Sequence, residues 1–178
     1  RRGGRQLIRF LLPALFAFLF ILESLFVELL PAELFNSDRI LVPHFLMAGI
    51  LFLTAYLSPK HGILYGLIFG LLFDIVYTEI IGIYLFMFPF IAYLAANMMR
   101  ILQTNILIVS ILSLLGIALL EVGVYELMLL IKITDLDFST YVKIRLVPTL
   151  ILNLAFIILA AYPFKKQFEN AADRLRND

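Results

Sequence analysis

Long apolar runs separated by short polar segments make up most of the sequence. A helix needs about 20 apolar residues to cross the hydrocarbon core of a bilayer. The pattern therefore predicts an all-α integral membrane protein with six transmembrane helices in a single domain, residues 1–178. The approximate predicted spans are 10–30, 43–57, 62–77, 81–99, 106–131 and 146–162.

The first apolar run follows a basic leader that contains Arg1, Arg2, Arg5 and Arg9. The run is longer than the apolar region of a signal peptide, which has about 7–15 residues, and no small-x-small cleavage pattern follows it. We therefore expect an uncleaved first span.

Composition supports the membrane assignment. Of the 178 residues, 63% are hydrophobic and 15% are charged, and the mean hydropathy is +1.02. This polar content is too low to cover a soluble globule, and the length leaves no room for an extramembrane enzyme domain. Because the sequence contains no cysteine, it has no thiol nucleophile, thiolate metal site or disulfide.

Lysine and arginine are unequally divided between the two sides of the predicted spans. Cytoplasmic loops of membrane proteins carry an excess of these residues, so both termini are expected to be cytoplasmic. Ten of the fourteen basic residues then lie inside: Arg1, Arg2, Arg5, Arg9, Lys60, Arg100, Lys165, Lys166, Arg174 and Arg176. The four on the outer side are Arg39, Lys132, Lys143 and Arg145.

A stripe of small residues runs along the third predicted span. Gly62, Gly66 and Gly70 are spaced four apart and lead to Asp74, so they form one face of a helix that ends at a carboxylate. Small-xxx-small faces allow close approach between helices in lipid. Together with Gly82, these glycines form either a packing face for a helix of the same chain or a groove for a ligand or partner.

The predicted spans carry polar residues toward their outer halves, among them Glu23, Asp74, Glu121 and Asn153. Polar side chains at this depth are costly unless they face protein or water. We expect them to form an outward-facing polar cavity or a partner contact, unless they are structural salt bridges or interface residues. Asp74 lies near the C-terminal end of its helix, where the dipole disfavours negative charge. Asp74 is therefore expected to have a cationic or hydrogen-bonding partner, and the four outer basic residues are the candidates.

Few residues in the sequence could form a catalytic or metal-binding site. His44, one of two histidines, is expected to be an interfacial polar residue because no other ligand lies at metal-binding spacing. The predicted spans contain no H-E-x-x-H motif, Ser/His pair or paired aspartates. We therefore predict no catalytic, cofactor or metal site. Nucleic acid is not an expected partner, since the inner basic residues suit anionic membrane headgroups.

The segment from Gly66 to Gly82 resembles a known family. It contains the pattern G-x-x-x-G-L-x-x-D-I, from Gly66 through Gly70 and Asp74 to Ile75, and a glycine at Gly82 that precedes the next apolar run. The pattern, the six spans and the Arg-rich start are similar to the rod shape-determining protein MreD family. The resemblance implies a fold like that of the S component of energy-coupling-factor transporters, in the bacterial cytoplasmic membrane.

The same resemblance implies a function and partners. Members of the family are non-enzymatic scaffolds of the cell-elongation (rod) complex, where they maintain rod cell shape and link a cytoskeletal filament to peptidoglycan synthesis. The implied partners are MreC, as the direct one, then MreB, RodA and a class B penicillin-binding protein, together with membrane lipid.

A substrate-binding S component of an energy-coupling-factor vitamin transporter is the alternative. Such proteins resemble this chain in size and span number, but they dock their coupling subunit through an Ala-x-x-x-Ala pattern in the first span. In this sequence Ala14 and Ala17 are three residues apart, which weakens the transporter hypothesis.

Overall fold

The computed structural model describes residues 3–29 and 38–177, and the described residues form helices and no β-strand. The elements are α1 (Gly3–Leu29), α2 (Phe45–Tyr56), α3 (Pro59–Tyr77), α4 (Ile83–Ile101), α5 (Ile106–Leu130), α6 (Phe138–Tyr141), a π-helical turn (Val142–Leu146) and α7 (Val147–Asn177). The all-α prediction is confirmed. The loop between the first two spans lies mostly outside the described residues.

Among the described residues, five helical segments are long and apolar enough to cross a membrane, which makes the chain a multi-pass membrane protein. They are α1, α3, α4, α5 and the continuous run Phe138–Asn177. α2 is shorter, with 12 residues, or about 18 Å at the usual helical rise, against a hydrocarbon core of about 30 Å. The predicted second span, 43–57, is thus helical only from Phe45 to Tyr56, and residues 39–44 before it are not helical.

Two helices extend beyond the predicted spans by more than one helical turn. α1 starts at Gly3, not at residue 10, and α7 continues to Asn177, past the predicted end at 162. The last turns of α7 are polar, so hydropathy excluded them, yet they bury Phe164 and Phe168 at helical spacing. The ring of Phe168 stacks on Phe16 of α1 with centroids 6.1 Å apart. Packing between the two chain ends therefore keeps these turns helical.

α2 is the central helix of the bundle. Every residue from Phe45 to Thr54 is buried, and α2 contacts α1, α3, α4, α5 and α7. A helix that is apolar on all sides is stable only where other elements surround it. The remaining long helices therefore pack around α2.

The glycine stripe of α3 packs against helices of the same chain. A Cβ atom on Gly66 would lie 3.0 Å from the backbone nitrogen of Pro89 in α4, and one on Gly70 would overlap the carbonyl oxygen of Tyr84. Gly62 faces α2, where a Cβ would overlap the side chain of Thr54. Backbone atoms cannot move aside as a flexible side chain can, so α3 and α4 approach this closely only because the stripe has no side chains.

Candidate functional site

The non-helical segment 39–44 enters the bundle, where Pro43 and His44 are buried. Its backbone groups must be paired, because irregular backbone at membrane depth is tolerated only where it is buried in protein or lines a cavity. Two side chains of α7 provide the partners. The Thr149 hydroxyl accepts a hydrogen bond from the Val42 N–H at 3.2 Å. Asn153 donates to the Val42 carbonyl at 2.9 Å and accepts from the His44 N–H at 2.8 Å. Asn153 therefore braces the start of α2.

Glu23 supports the same region from α1. It is buried, and its Oε1 atom accepts a hydrogen bond from the Leu46 N–H at 2.8 Å. The first N–H groups of a helix have no partner within the helix, and its positive dipole end favours a nearby carboxylate. Glu23 thus stabilises the N-terminus of α2 across the helix interface.

Asp74 performs the corresponding role for α4. Its carboxylate accepts hydrogen bonds from the backbone N–H groups of Gly82, Tyr84 and Leu85 at 2.8, 3.0 and 2.9 Å. Of the two kinds of partner expected for Asp74, cationic or hydrogen-bonding, the structure shows the second, and none of the described basic residues forms an ion pair with it. The dipole argument considered only α3, whereas Asp74 also lies at the N-terminus of α4, which favours negative charge.

Gly82 makes this arrangement possible. It precedes α4 with φ +127°, a conformation that side chains with a Cβ atom rarely adopt. Nothing lies within 4 Å of where its Cβ would be. The backbone conformation, and not lack of space, therefore accounts for glycine at this position.

Glu121 of α5 is the centre of a buried polar cluster. Its Oε1 atom lies 2.5 Å from His44 Nε2, and its Oε2 atom accepts from Arg145 Nε at 2.8 Å and from the Tyr141 hydroxyl at 3.2 Å. A longer bond of 3.4 Å joins Arg145 Nη2 to Oε1. The two carboxylate oxygens thus accept four hydrogen bonds, which uses their full capacity.

Sequence reasoning missed three members of this cluster. His44 was expected at the membrane interface, but its side chain is only 1% exposed. Arg145, one of the four candidate partners of Asp74, pairs with Glu121 instead, and Tyr141 also donates to Glu121. The cluster joins positions far apart in the chain, so no local spacing could reveal it. The available signal was Arg145, a charged residue directly before an apolar run.

A cavity of about 430 Å³, here called the aromatic cavity, opens beside Glu121. It lies at the end of the bundle opposite Gly3 and Asn177, between the end of α3, the start of α4, the end of α5 and the segment that leads to α6. Its lining residues are Ile40, Phe73, Tyr77, Thr78, Tyr84, Glu121, Val124, Tyr125, Met128, Ile133, Thr134, Leu136, Tyr141 and Arg145. Of the four predicted polar residues, Glu121 lines it, while Glu23, Asp74 and Asn153 pair with backbone groups elsewhere.

The segment between α5 and α6 forms one wall of the aromatic cavity and is held in place by hydrogen bonds. The Tyr125 hydroxyl donates to the Leu136 carbonyl at 2.7 Å. Asp137 caps α6, accepting from the hydroxyl and the backbone N–H of Thr140 at 2.6 and 3.0 Å. These bonds to Thr140 lower the pKa of the Asp137 carboxyl below its ordinary value. Within the described residues, no group of three His, Cys, Asp or Glu side chains could hold a metal ion.

Comparison with known proteins identifies the family. The sequence profile described as rod shape-determining protein MreD matches residues 8–170. The chain belongs to the MreD family. It is 35% identical over 170 residues to the rod shape-determining protein MreD of Bacillus subtilis (strain 168), and this match covers 96% of the chain and 99% of the relative. No solved structure matches the chain.

The family match confirms the resemblance drawn from Gly66, Gly70, Asp74 and Gly82, and it covers nearly the whole chain and not the motif alone. It supports a role in determining rod shape. It also decides against the vitamin-transporter alternative, because the matched family is the rod shape-determining one.

Proposed function

We propose that this MreD-family protein is a non-enzymatic membrane scaffold of the bacterial cell-elongation complex, which maintains rod shape by associating with MreC and linking the filament to peptidoglycan synthesis. The observation that carries the proposal is the match to a rod shape-determining relative over 96% of this chain and 99% of that one. A likeness over nearly the full length of both chains supports a shared role of the whole protein.

The use of the buried polar residues is consistent with a scaffold. Glu23, Asp74 and Asn153 pair with backbone N–H and carbonyl groups where helices begin or unwind. A catalytic acid or base needs a free position within hydrogen-bond reach of a substrate, and these three residues are engaged by the protein's own backbone. Their hydrogen bonds to the backbone therefore stabilise one arrangement of the helices.

The proposed placement follows from charge and hydropathy. The chain forms one domain of six spans in the bacterial cytoplasmic membrane, in which α2 and the segment before it together make the second span, and both termini are cytoplasmic. The excess of Lys and Arg on the N-terminal side supports this orientation. The aromatic cavity then faces the outer side of the membrane.

The proposed partners are those of the elongation complex. MreC is the direct partner, and MreB, RodA and a class B penicillin-binding protein belong to the same assembly. Because the interior of the bundle is filled by its own side chains, contact with a partner span uses an outer helix face. α1 is a suitable element, since one side of it packs on α2, α3 and α7 and its other side exposes Phe10, Phe18 and Ile21.

Complementation with co-purification tests the proposal. The chain is expressed in a rod-shaped bacterium that lacks its own MreD, and cell shape is measured. A tagged form is then purified in mild detergent from cells that also express MreC of the same organism as the chain. We expect restored rods and recovery of MreC with the tagged protein. Round cells together with absence of MreC, despite normal membrane levels of the chain, would contradict the proposal.

A further inference from the structure

The aromatic cavity has features of a ligand site that a scaffold does not require. Its volume of about 430 Å³ is within the range of about 300–1,000 Å³ that small-molecule sites occupy. Such sites are mostly apolar, with a few polar groups that orient the ligand. The polar groups in this cavity belong mainly to Glu121, Arg145 and the tyrosines.

The unused hydrogen-bonding capacity of these polar groups indicates what they can bind. Glu121 already accepts four hydrogen bonds and has no capacity for a donor on a ligand. Arg145 gives only its Nε and Nη2 atoms to Glu121, and a guanidinium has five N–H donors. Its Nη1 atom has no hydrogen-bond partner among the described residues, and its side chain is 32% exposed. The remaining capacity at Arg145 is therefore that of a donor.

Tyr84 adds a second available group. Its side chain is buried and lines the cavity, and within the described part of the chain its hydroxyl forms no hydrogen bond. Arg145 and Tyr84 together favour a ligand with a hydrogen-bond acceptor, and the cation favours an anionic one.

The walls of the aromatic cavity suit a flat apolar molecule. Phe73 lies with its ring centroid 4.5 Å from that of Tyr84 and 4.6 Å from that of Tyr77. The rings of Tyr125 and Tyr141 stack with centroids 4.0 Å apart. Aromatic rings gain energy from stacking or edge contacts with one another beyond the burial of area, so these walls favour an aromatic ligand.

The π-helical turn provides an independent indication. Residues Val142–Leu146 form this turn, which directly follows Tyr141 and contains Arg145. π-helical turns are rare and are frequent at functional sites. In this protein the turn places Arg145 in the wall of the cavity, on the same carboxylate that Tyr141 contacts.

We propose that the aromatic cavity binds a small aromatic molecule that carries one anionic oxygen group, with that group on Arg145 and Tyr84 and the ring between the two aromatic walls. This inference is independent of the scaffold function. The ligand reaches the cavity from the end of the bundle opposite the two chain ends.

The test uses 2-naphthoate as the probe and 2-naphthalenemethanol as its neutral counterpart. The full chain is reconstituted in lipid nanodiscs, with empty nanodiscs as the blank for partition into lipid. Binding is followed by quenching of tyrosine emission, which is possible because the chain has eight tyrosines and no tryptophan. We expect saturable binding of one 2-naphthoate per chain, with an affinity about tenfold higher than that of the alcohol, as a charge-assisted bond of about 1.5 kcal/mol implies.

Variants assign the binding to the cavity. Tyr84→Phe removes a hydroxyl and leaves Glu121 untouched, and we expect it to weaken 2-naphthoate binding about tenfold, the effect of one hydrogen bond to a charged group. Arg145→Gln should abolish the preference for the anion, with folding checked by thermal unfolding. Arg39→Gln is the control, because Arg39 lines other cavities and should bind like the wild type.

Three results would overturn the proposal. The first is quenching that does not saturate above that of empty nanodiscs. The second is equal affinity for the anion and the alcohol in the wild-type protein. The third is a Tyr84→Phe variant that folds normally and binds 2-naphthoate as tightly as the Arg39→Gln control.

Discussion

At the scale of single residues, the buried polar side chains compensate for places where helices start or unwind. The sequence predicted that Glu23, Asp74, Glu121 and Asn153 lie at costly depth, and their burial agrees. The sequence could not reveal the partners of these residues. Asp74, for example, binds backbone N–H groups, which almost every residue has and which no sequence pattern identifies. The four outer basic residues were the candidate partners of Asp74, and one of them, Arg145, binds Glu121 instead.

Asp74→Asn tests the cap of α4. The carboxylate offers two acceptor oxygens to three N–H groups, whereas an amide offers one oxygen and turns an NH₂ group toward the remaining donors. We expect the free energy of unfolding to fall by about 1–3 kcal/mol, the cost of leaving buried donors unpaired. Thermal unfolding of the purified variant in detergent measures this. Glu79→Gln, an exposed acid five residues further on, is the matched control, and equal stability of the two variants would contradict the cap.

Asn153→Leu tests the brace at the start of α2. The replacement has a similar size but leaves the His44 N–H and the Val42 carbonyl without their partner, at about 1–3 kcal/mol for each buried group. Asn170→Leu makes the same change at an exposed position of the same helix. Unfolding in detergent should separate the two variants clearly. If both unfold like the wild type, Asn153 does not hold the non-helical segment.

At the scale of elements, periodic patterns were informative and hydropathy was informative only in part. The spacing of Gly62, Gly66 and Gly70 predicted one helix face, and that face packs on α2 and α4. Hydropathy located the apolar helices but ended α7 too early. The average hydropathy of its last turns is low, although Phe164 and Phe168 in these turns are buried. Hydropathy also could not distinguish a helix that spans the membrane from the shorter α2 and the non-helical segment before it, since both are apolar.

Gly70→Ala tests the contact between α3 and α4. A Cβ at this position would overlap the backbone carbonyl of Tyr84, which moves only if the whole helix moves, and overpacking of this kind costs about 1–3 kcal/mol. The matched control is Gly123→Ala, where the new Cβ would meet only the flexible end of Met87. We expect Gly70→Ala to unfold at a lower temperature than Gly123→Ala in detergent. The opposite order would mean that the close approach does not contribute to stability.

At the scale of the whole molecule, the family and the all-α fold were accessible from the sequence, while the cavity was not. The motif from Gly66 to Gly82 is local, so it can be recognised without a structure. The aromatic cavity combines α3, α4, α5 and the segment before α7, and its polar floor depends on contacts between Glu121, His44 and Arg145. Only the packing of the helices brings these parts together.

Orientation in the membrane is a property of the whole chain and can be tested by single cysteines, since the sequence has none of its own. The excess of Lys and Arg on the N-terminal side predicts cytoplasmic termini. A cysteine at Ser139, an exposed position near the aromatic cavity, or at Asn36 should therefore react with an impermeant thiol reagent in intact cells. A cysteine at Asn170, exposed in the last turns of α7, should react only after the cells are opened. Labelling of Asn170→Cys in intact cells, without labelling of Ser139→Cys, would reverse the orientation and place the aromatic cavity on the cytoplasmic side.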